Sequence, residues 1–208
     1  MLMFGLTKRE ERILRRLNTP AKIQDFLDGL PFNFEAGGET CKSPRRTLRE
    51  MNAHCIEGAF LAALAFAYHG ERPLILNIKV EKEDDDHIVA LYKRNGYWGA
   101  VSKTNHAVLR FRDPIYKTIR ELALSYFHEY FLVKNGKKTM LGYSKPIHLF
   151  SFGKQWITSE SDLWDIAEAI YDGKHSTIVP PENRRYIRNA TLLEREAASI
   201  PLSKKKMK

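Results

Sequence analysis

The sequence predicts an α+β domain: a helix carrying a candidate nucleophile, packed on a small antiparallel sheet and flanked by additional helices. Three observations support this. The stretch NAHCIEGAFLAALAFAYHG is the most apolar helical run in the chain, rich in Ala and Leu and closed by Gly70 as a C-cap. The segments PLILNIKV, HIVALYKR and YWGAVSK that follow change to the two-residue alternation of strands. Asn95-Gly96 joins the second of these to the third, and Asn-Gly in that position marks a tight hairpin because a type I′ turn needs positive φ at both central residues.

The 208 residues, 43% hydrophobic and 11% aromatic, suit one domain with terminal appendages. The expected divisions are an N-terminal helical arm over 1–18, a core domain over 19–180, and a basic C-terminal helix and tail over 181–208. Thr7 and Glu10 form a capping-box pattern, and Ile13, Leu14 and Leu17 continue as the apolar stripe of a short charged helix, expected to pack as a peripheral arm. Thr19-Pro20 pairs an N-cap with an N1 proline and starts a helix whose Ile23, Phe26 and Leu27 face inward until Gly29. LPFNFEAGGET reads as loop. Ser43-Pro44 opens SPRRTLREM with Arg45, Arg46 and Arg49 on its wet face, and Asn52 offers a break before the apolar helix. Beyond the hairpin, LRFRDP reads as a solvated edge carrying Arg110 and Arg112, and Pro114 as the start of a helix, PIYKTIRELALSYFHEYF. A hairpin around Asn135-Gly136 leads to a strand near IHLFSF, SESDLWDIAEAIYDG is a helix capped by Ser159 or Ser161, PPENRRYIRNATLLEREAAS is a final charged helix, and SKKKMK is a loose end.

Charge and composition narrow the function classes. The net charge is +9, but Arg184 to Lys208 holds eight Lys or Arg against two Glu, leaving +3 for everything before it. A nucleic-acid partner is therefore expected only through the basic tail. The opening MLMFGLTKREERILRRL lacks a signal-peptide core, and no stretch approaches the ~18 uninterrupted apolar residues of a membrane span, so a cytoplasmic protein without a membrane partner is expected. No cofactor or metal is expected either. His54 and His69 have no metal-ligand spacing, there is no Gly-rich phosphate loop, and Asp84, Asp85 and Asp86 read as a solvated run.

Cys55 is the most informative position, because it stands where a loop becomes the long apolar helix. There the unpaired N–H groups and the positive end of the helix dipole favour a thiolate. The competing reading is a small buried hydrophobe. Cys41 lies in a Gly-rich loop with no helix start, so it is expected to be the less reactive thiol, unlinked to Cys55.

From Ser43 to Thr104 the order of residues resembles the transglutaminase-like superfamily of the papain-type thiol fold. Cys55 and Ala59 match the C-x-x-x-A that opens the family's nucleophile helix, Gly70 its end, Pro73 to Val80 the next strand, and His87 the histidine that begins the strand after that. Trp98 falls where the family's following strand reads W-x-x-x-D, with Ser102 in the position of the aspartate. The resemblance implies Cys55 as nucleophile, His87 as base and Ser102 as an altered third member. It also implies acyl transfer or hydrolysis on a peptide, protein or amide: a peptidase, amidase or transglutaminase type of reaction. A two-residue Asn95-Gly96 loop sets His87 opposite Thr104 and puts Ser102 on the same face, diagonal to His87 at ~7–8 Å between backbones. A hydroxyl there orients the ring but does not stabilise an imidazolium as a carboxylate does. Asn105, Asp113 or a backbone carbonyl are the other candidates for the third position. His87 also reads as a surface residue following Glu83–Asp86, whose carboxylates would raise its pKa. Gln24 reads first as an exposed helix glutamine and second as the upstream donor that papain-type sites use for an oxyanion. The alternatives to an enzyme are a non-catalytic relative using the same groove as a binding module, and a tail-driven nucleic-acid binder.

Overall fold

The computed structural model describes residues 4–198. Its spine is a seven-stranded antiparallel sheet of β1 (Leu74–Val80), β2 (His87–Arg94), β3 (Tyr97–Ser102), β4 (Arg112–Tyr116), β5 (Met140–Ser144), β6 (Ile147–His148) and β7 (His175–Thr177). The order is β4-β3-β2-β1-β5-β7, and β5 and β6 share one edge of β1, at Ile78–Val80 and Leu74–Ile75 respectively. The helices are α1 (Lys8–Arg16), α2 (Pro20–Gly29), α3 (Pro44–Glu50), α4 (Cys55–Tyr68), α5 (Ile119–Phe127), α6 (Trp164–Tyr171) and α7 (Leu192–Ala198). The fold is α+β as expected, and its sheet extends beyond the three central strands, the LRFRDP edge and the strand near IHLFSF read from sequence.

Strand alternation sorts the core into two layers. Ile75, Ile88, Ala90 and Val101 face α4, while Leu76, Ile78, Val89, Leu91 and Ala100 face Leu122, Ala123 and Tyr126 of α5. Helix α4 is buried almost all round, which explains why its sequence lacks a polar face. The hairpin has the register its loop dictates, Arg94 opposite Tyr97 through to Val89 opposite Ser102. The ladder ends there, so Thr104 lies beyond it and His87 pairs instead with Ile78 of β1.

Local capping signals are realised at three helix starts. The side chains of Thr7, Thr19 and Ser43 accept the N–H of Glu10, Lys22 and Arg46, and Glu10 reaches back to Thr7. Several segments depart from expectation. Helix α1 is built into the main core through Leu14 and Leu17, and His69 Nε2 meets the Leu14 carbonyl at 2.9 Å. The α3 arginines are paired, Arg45 with Glu10, Arg46 with Asp162 and Arg49 with Glu160. Pro114 lies in β4, an edge strand where a missing N–H is tolerated, and the helix begins only after Thr118, whose hydroxyl accepts the Glu121 N–H. Arg110 pairs with Asp28, and Arg112 pairs with Glu129 and stacks on Tyr126, so neither is a free solvated edge charge. Most of IHLFSF is a 3-10 turn after the two residues of β6, and neither Ser159 nor Ser161 caps α6, whose N-cap is Leu163. The segment read as one final helix is a 3-10 turn at Pro181–Tyr186 followed by the short α7. The SKKKMK end lies outside the described residues.

Candidate active site

Helix α4 begins at Cys55, with His54 as an extended N-cap and Glu57 at the third helical position reaching back to the His54 N–H at 3.0 Å. Gly58 brings this first turn onto the end of β3: a Cβ there would lie 2.4 Å from the Lys103 Cβ. Lys103 is held in turn by the carbonyls of Leu27 (2.9 Å) and Leu30 (2.5 Å) at the end of α2. The helix start therefore sits over the end of the sheet, where β2 begins and β3 finishes. His87 projects from β2 toward the α5 layer, edge-on to Tyr126 with ring centroids 6.4 Å apart. The two catalytic candidates thus come from opposite faces of the sheet and meet around its end. Cys55 Sγ is 3.9 Å from the Asp86 carbonyl, and the imidazoles of His54 and His87 both favour its charged form by hydrogen bonding and charge.

His87 is oriented by a short chain of bonds. Ser102 Oγ donates to the Leu109 carbonyl at 2.8 Å, so its lone pair faces His87 Nε2, 2.7 Å away, and that nitrogen must carry the hydrogen. Nδ1 is then the ring nitrogen left for the sulfur. Ser102 is fixed through its backbone by Gln24, whose Oε1 accepts the Ser102 N–H (3.0 Å) and whose Nε2 donates to the Ser102 carbonyl (2.8 Å). Gln24 is buried and spent on this clamp, so it is neither the exposed residue nor the oxyanion donor that the sequence suggested. Of the other candidates for the third position, Asn105 lines the cleft described below and Asp113 lies in β4 near Tyr92. A backbone carbonyl, that of Leu109, does enter the chain, but behind Ser102.

On the other side of the sulfur lies a second cluster. Glu57 is fully buried and accepts the Thr40 hydroxyl (2.7 Å), the Lys42 N–H (3.1 Å) and the His54 N–H (3.0 Å), with Lys42 Nζ at 3.6 Å. His54 Nε2 is 2.9 Å from the Thr40 carbonyl, 3.4 Å from Glu57 and 3.5 Å from Glu35. The acidic run before His87 is not uniformly solvated: Asp86 is half-buried and accepts from Val80 N, Lys79 Nζ and Asn77 Nδ2 at 3.0–3.1 Å, closing the β1–β2 turn.

These arrangements set the two thiols apart. Burial works against a charged Cys55, but the hydrogen bonds and charges of His54 and His87 outweigh it and bring the thiol down to about 6. Burial, with the Glu57 charge beside it, pushes Cys41 up to about 12. Cys55 is half-buried whereas Cys41 is buried, its sulfur 3.6 Å from the Leu163 carbonyl. Burial disfavours the charged His54 ring, yet its bonds to Cys55 and Glu57 raise it well above the ordinary imidazole range. Glu57 is held down to about 2 in spite of burial, by His54 and Thr40.

A cleft of about 780 Å³ opens over Cys55, His54 and His87, walled by the aromatic residues Phe34, Trp164 and Tyr171 and by the carboxylates of Glu39 and Asp85. The structure therefore brings Cys55, His87 and Ser102 together. Sequence reasoning passed over His54, Glu57 and Thr40, although His54-Cys55-Ile56-Glu57 carries the spacing of an N-cap followed by its reciprocal glutamate. Among the described residues no group of three or more His, Cys, Asp or Glu is arranged to hold a metal ion, and no helix is long and apolar enough to cross a membrane. No family model matches the sequence and no curated protein matches it significantly.

Proposed function

We propose that the chain is a cysteine-dependent acyl-transfer or hydrolysis enzyme of transglutaminase-like type, acting on a peptide, protein or amide. Cys55 is the nucleophile, His87 the proton carrier and Ser102 the group that orients its ring. The observation that carries this reading is the Cys55 sulfur, held between two imidazoles at a helix start and opening on a cleft. With the thiol proton on His87, the thiolate adds to the acyl carbon and the carbonyl π electrons move onto oxygen. The first-turn N–H groups of α4, which have no acceptor within the helix, are the donors offered to that oxygen. Collapse restores the carbonyl and expels the amine, which takes the His87 proton and leaves a Cys55 thioester. Water or a second amine then adds, gives its proton to His87, and the second collapse expels the thiolate.

The test is acylation by p-nitrophenyl acetate. A burst of nitrophenolate matching the protein concentration is expected, with the acetyl group on the Cys55 peptide. Cys55→Ala should abolish the burst, and His87→Asn should slow it by about 10²–10⁴. Equal acetylation of the Cys55→Ala variant would sink the enzyme reading. A second reading, a non-catalytic binding module, is favoured by one observation, the neutral Ser102 where the resemblance places a carboxylate. It predicts no burst from the folded protein.

A further inference from the structure

Building on the reading of Cys55 as nucleophile, we propose that His54, backed by the buried Glu57 carboxylate, is a second working imidazole of the site: it holds the sulfur as a thiolate and supplies the charge that Ser102 does not. The argument starts from the protons. His54 Nε2 faces the Thr40 carbonyl at 2.9 Å, which only accepts, so this nitrogen carries hydrogen. Two carboxylates, Glu57 at 3.4 Å and Glu35 at 3.5 Å, surround the same nitrogen and favour the charged ring. Nδ1 is then the nitrogen that serves the adjacent sulfur.

The two imidazoles differ in what stands behind them. His87 is backed by Ser102, a neutral hydroxyl already donating to a carbonyl, which sets the tautomer and adds no charge. His54 is backed by a carboxylate that is fully buried and pinned by Thr40, Lys42 and the His54 backbone. The charged groups packed about the sulfur can be assigned a sign, and farther out the cleft wall carries Glu39, Glu81, Asp84 and Asp85 against Lys79, Lys82 and His106. Glu57 on α4, Glu35 on the preceding loop and Asp86 at the start of β2 oppose a thiolate, as do Cys41, Tyr130 and Tyr171 whenever ionised. Lys42 offsets Glu57 at 3.6 Å. His54 and His87 are the imidazoles that act on the sulfur, and His54 is the one with carboxylates within 4 Å of its ring nitrogen. Labour is thereby divided: His54 is a standing charge whose hydrogens are committed, and His87 moves the proton.

The experiment is the pH dependence of iodoacetamide alkylation at Cys55 in the full chain, read peptide by peptide with Cys41 as internal control. The parent should react with a midpoint near pH 6. His87→Gln should keep its midpoint within about one pH unit of the parent although acyl transfer is lost. His54→Gln should move the midpoint up by about two units, an alkylation rate near pH 6 about 100-fold lower, and Glu57→Gln should move it in the same direction by less. A parent midpoint at the free-thiol value of about 8.5 would overturn the nucleophile reading itself. A low parent midpoint left unmoved by His54→Gln would overturn only the role given to His54. If His54→Gln does not fold, His54→Lys, which keeps a cation at the N-cap, is compared with Glu57→Gln. A low midpoint in the first and a raised one in the second supports the proposal, and any other order overturns it.

Discussion

At the scale of single residues, Ser102 and Glu57 have opposite characters. Ser102 is a neutral relay in a fully buried position, accepting from His87 and donating to Leu109. Ser102→Ala removes the acceptor for His87 Nε2–H, so acyl transfer should fall about tenfold or more while alkylation of Cys55 hardly changes, a split read by burst kinetics beside labelling. Ser102→Asp should not simply restore a triad. A carboxylate there would face the Leu109 carbonyl, acceptor against acceptor, and should cost about 1–3 kcal/mol in chemical denaturation. Glu57 is a buried charge whose partners all donate to it. Its pKa is depressed from 4.5 to about 2, so its contribution to stability is present above pH 4.5 and is lost as pH falls toward 2. Denaturation midpoints of the parent should drop across that window, and those of Glu57→Gln should be flatter there. Near neutral pH, Glu57→Ala should cost about 1–3 kcal/mol, because it leaves the Thr40 hydroxyl and the Lys42 and His54 N–H groups without their acceptor, while Lys42 Nζ keeps Glu50 at 3.3 Å.

At the scale of elements, the site depends on how closely one end of α4 approaches one end of the sheet. Gly58 permits that approach, and the Lys103 stem occupies the space a methyl would need. Gly58→Ala should therefore displace either the first turn of α4 or β3, costing about 1–3 kcal/mol despite the higher helix propensity of alanine. Because His54 and Cys55 move with that turn, the alkylation midpoint of Cys55 should rise as well. A variant with normal stability and an unchanged midpoint would show that the contact is slack. The capping signals of α1, α2 and α3 and the Asn95-Gly96 register were legible because each is decided within a few residues of itself. Strands β5 and β7 were not. Each is short and pairs with chain far from it in sequence, and nothing local in MLGYS or HST marks it as a strand.

At the scale of the whole molecule, the core has two layers and a small outlying cluster of Phe131, Ala190 and Ala198. The C-terminal segment reaches this outlier through Ala190 N–H to the Gly136 carbonyl (2.8 Å) and Arg195 Nε to the Val133 carbonyl (2.6 Å). Deleting 183–208 should preserve one cooperative melt, since among the described residues this segment gives neither main layer a fully buried side chain and only the half-buried Ile187 packs on the α5 side, and it should raise hydrogen exchange around 131–138. Loss of the cooperative transition would mean that this segment is part of the core's folding unit. Helix α1, expected as a peripheral arm, stands differently: with Leu14 and Leu17 in the main core, its removal should destabilise the whole molecule.

The sequence by itself determined the long apolar helix and where it ends, the hairpin and its register, the placing of His87 and Ser102 on one face of that hairpin, and Cys55 as the first residue of its helix. All of these follow from period, caps and turn chemistry, which act over a handful of neighbouring residues. Only the tertiary structure decided that α4 and His87 meet around the end of the sheet, that Gln24 clamps Ser102, and that Glu57 is buried beneath His54. Those outcomes depend on groups distant in the chain: Thr40 and Lys42 must close over the helix start before Glu57 can be charged and buried at once. A charged residue in the first turn of a helix reads from sequence as solvated, and its burial becomes affordable only when the fold delivers its donors.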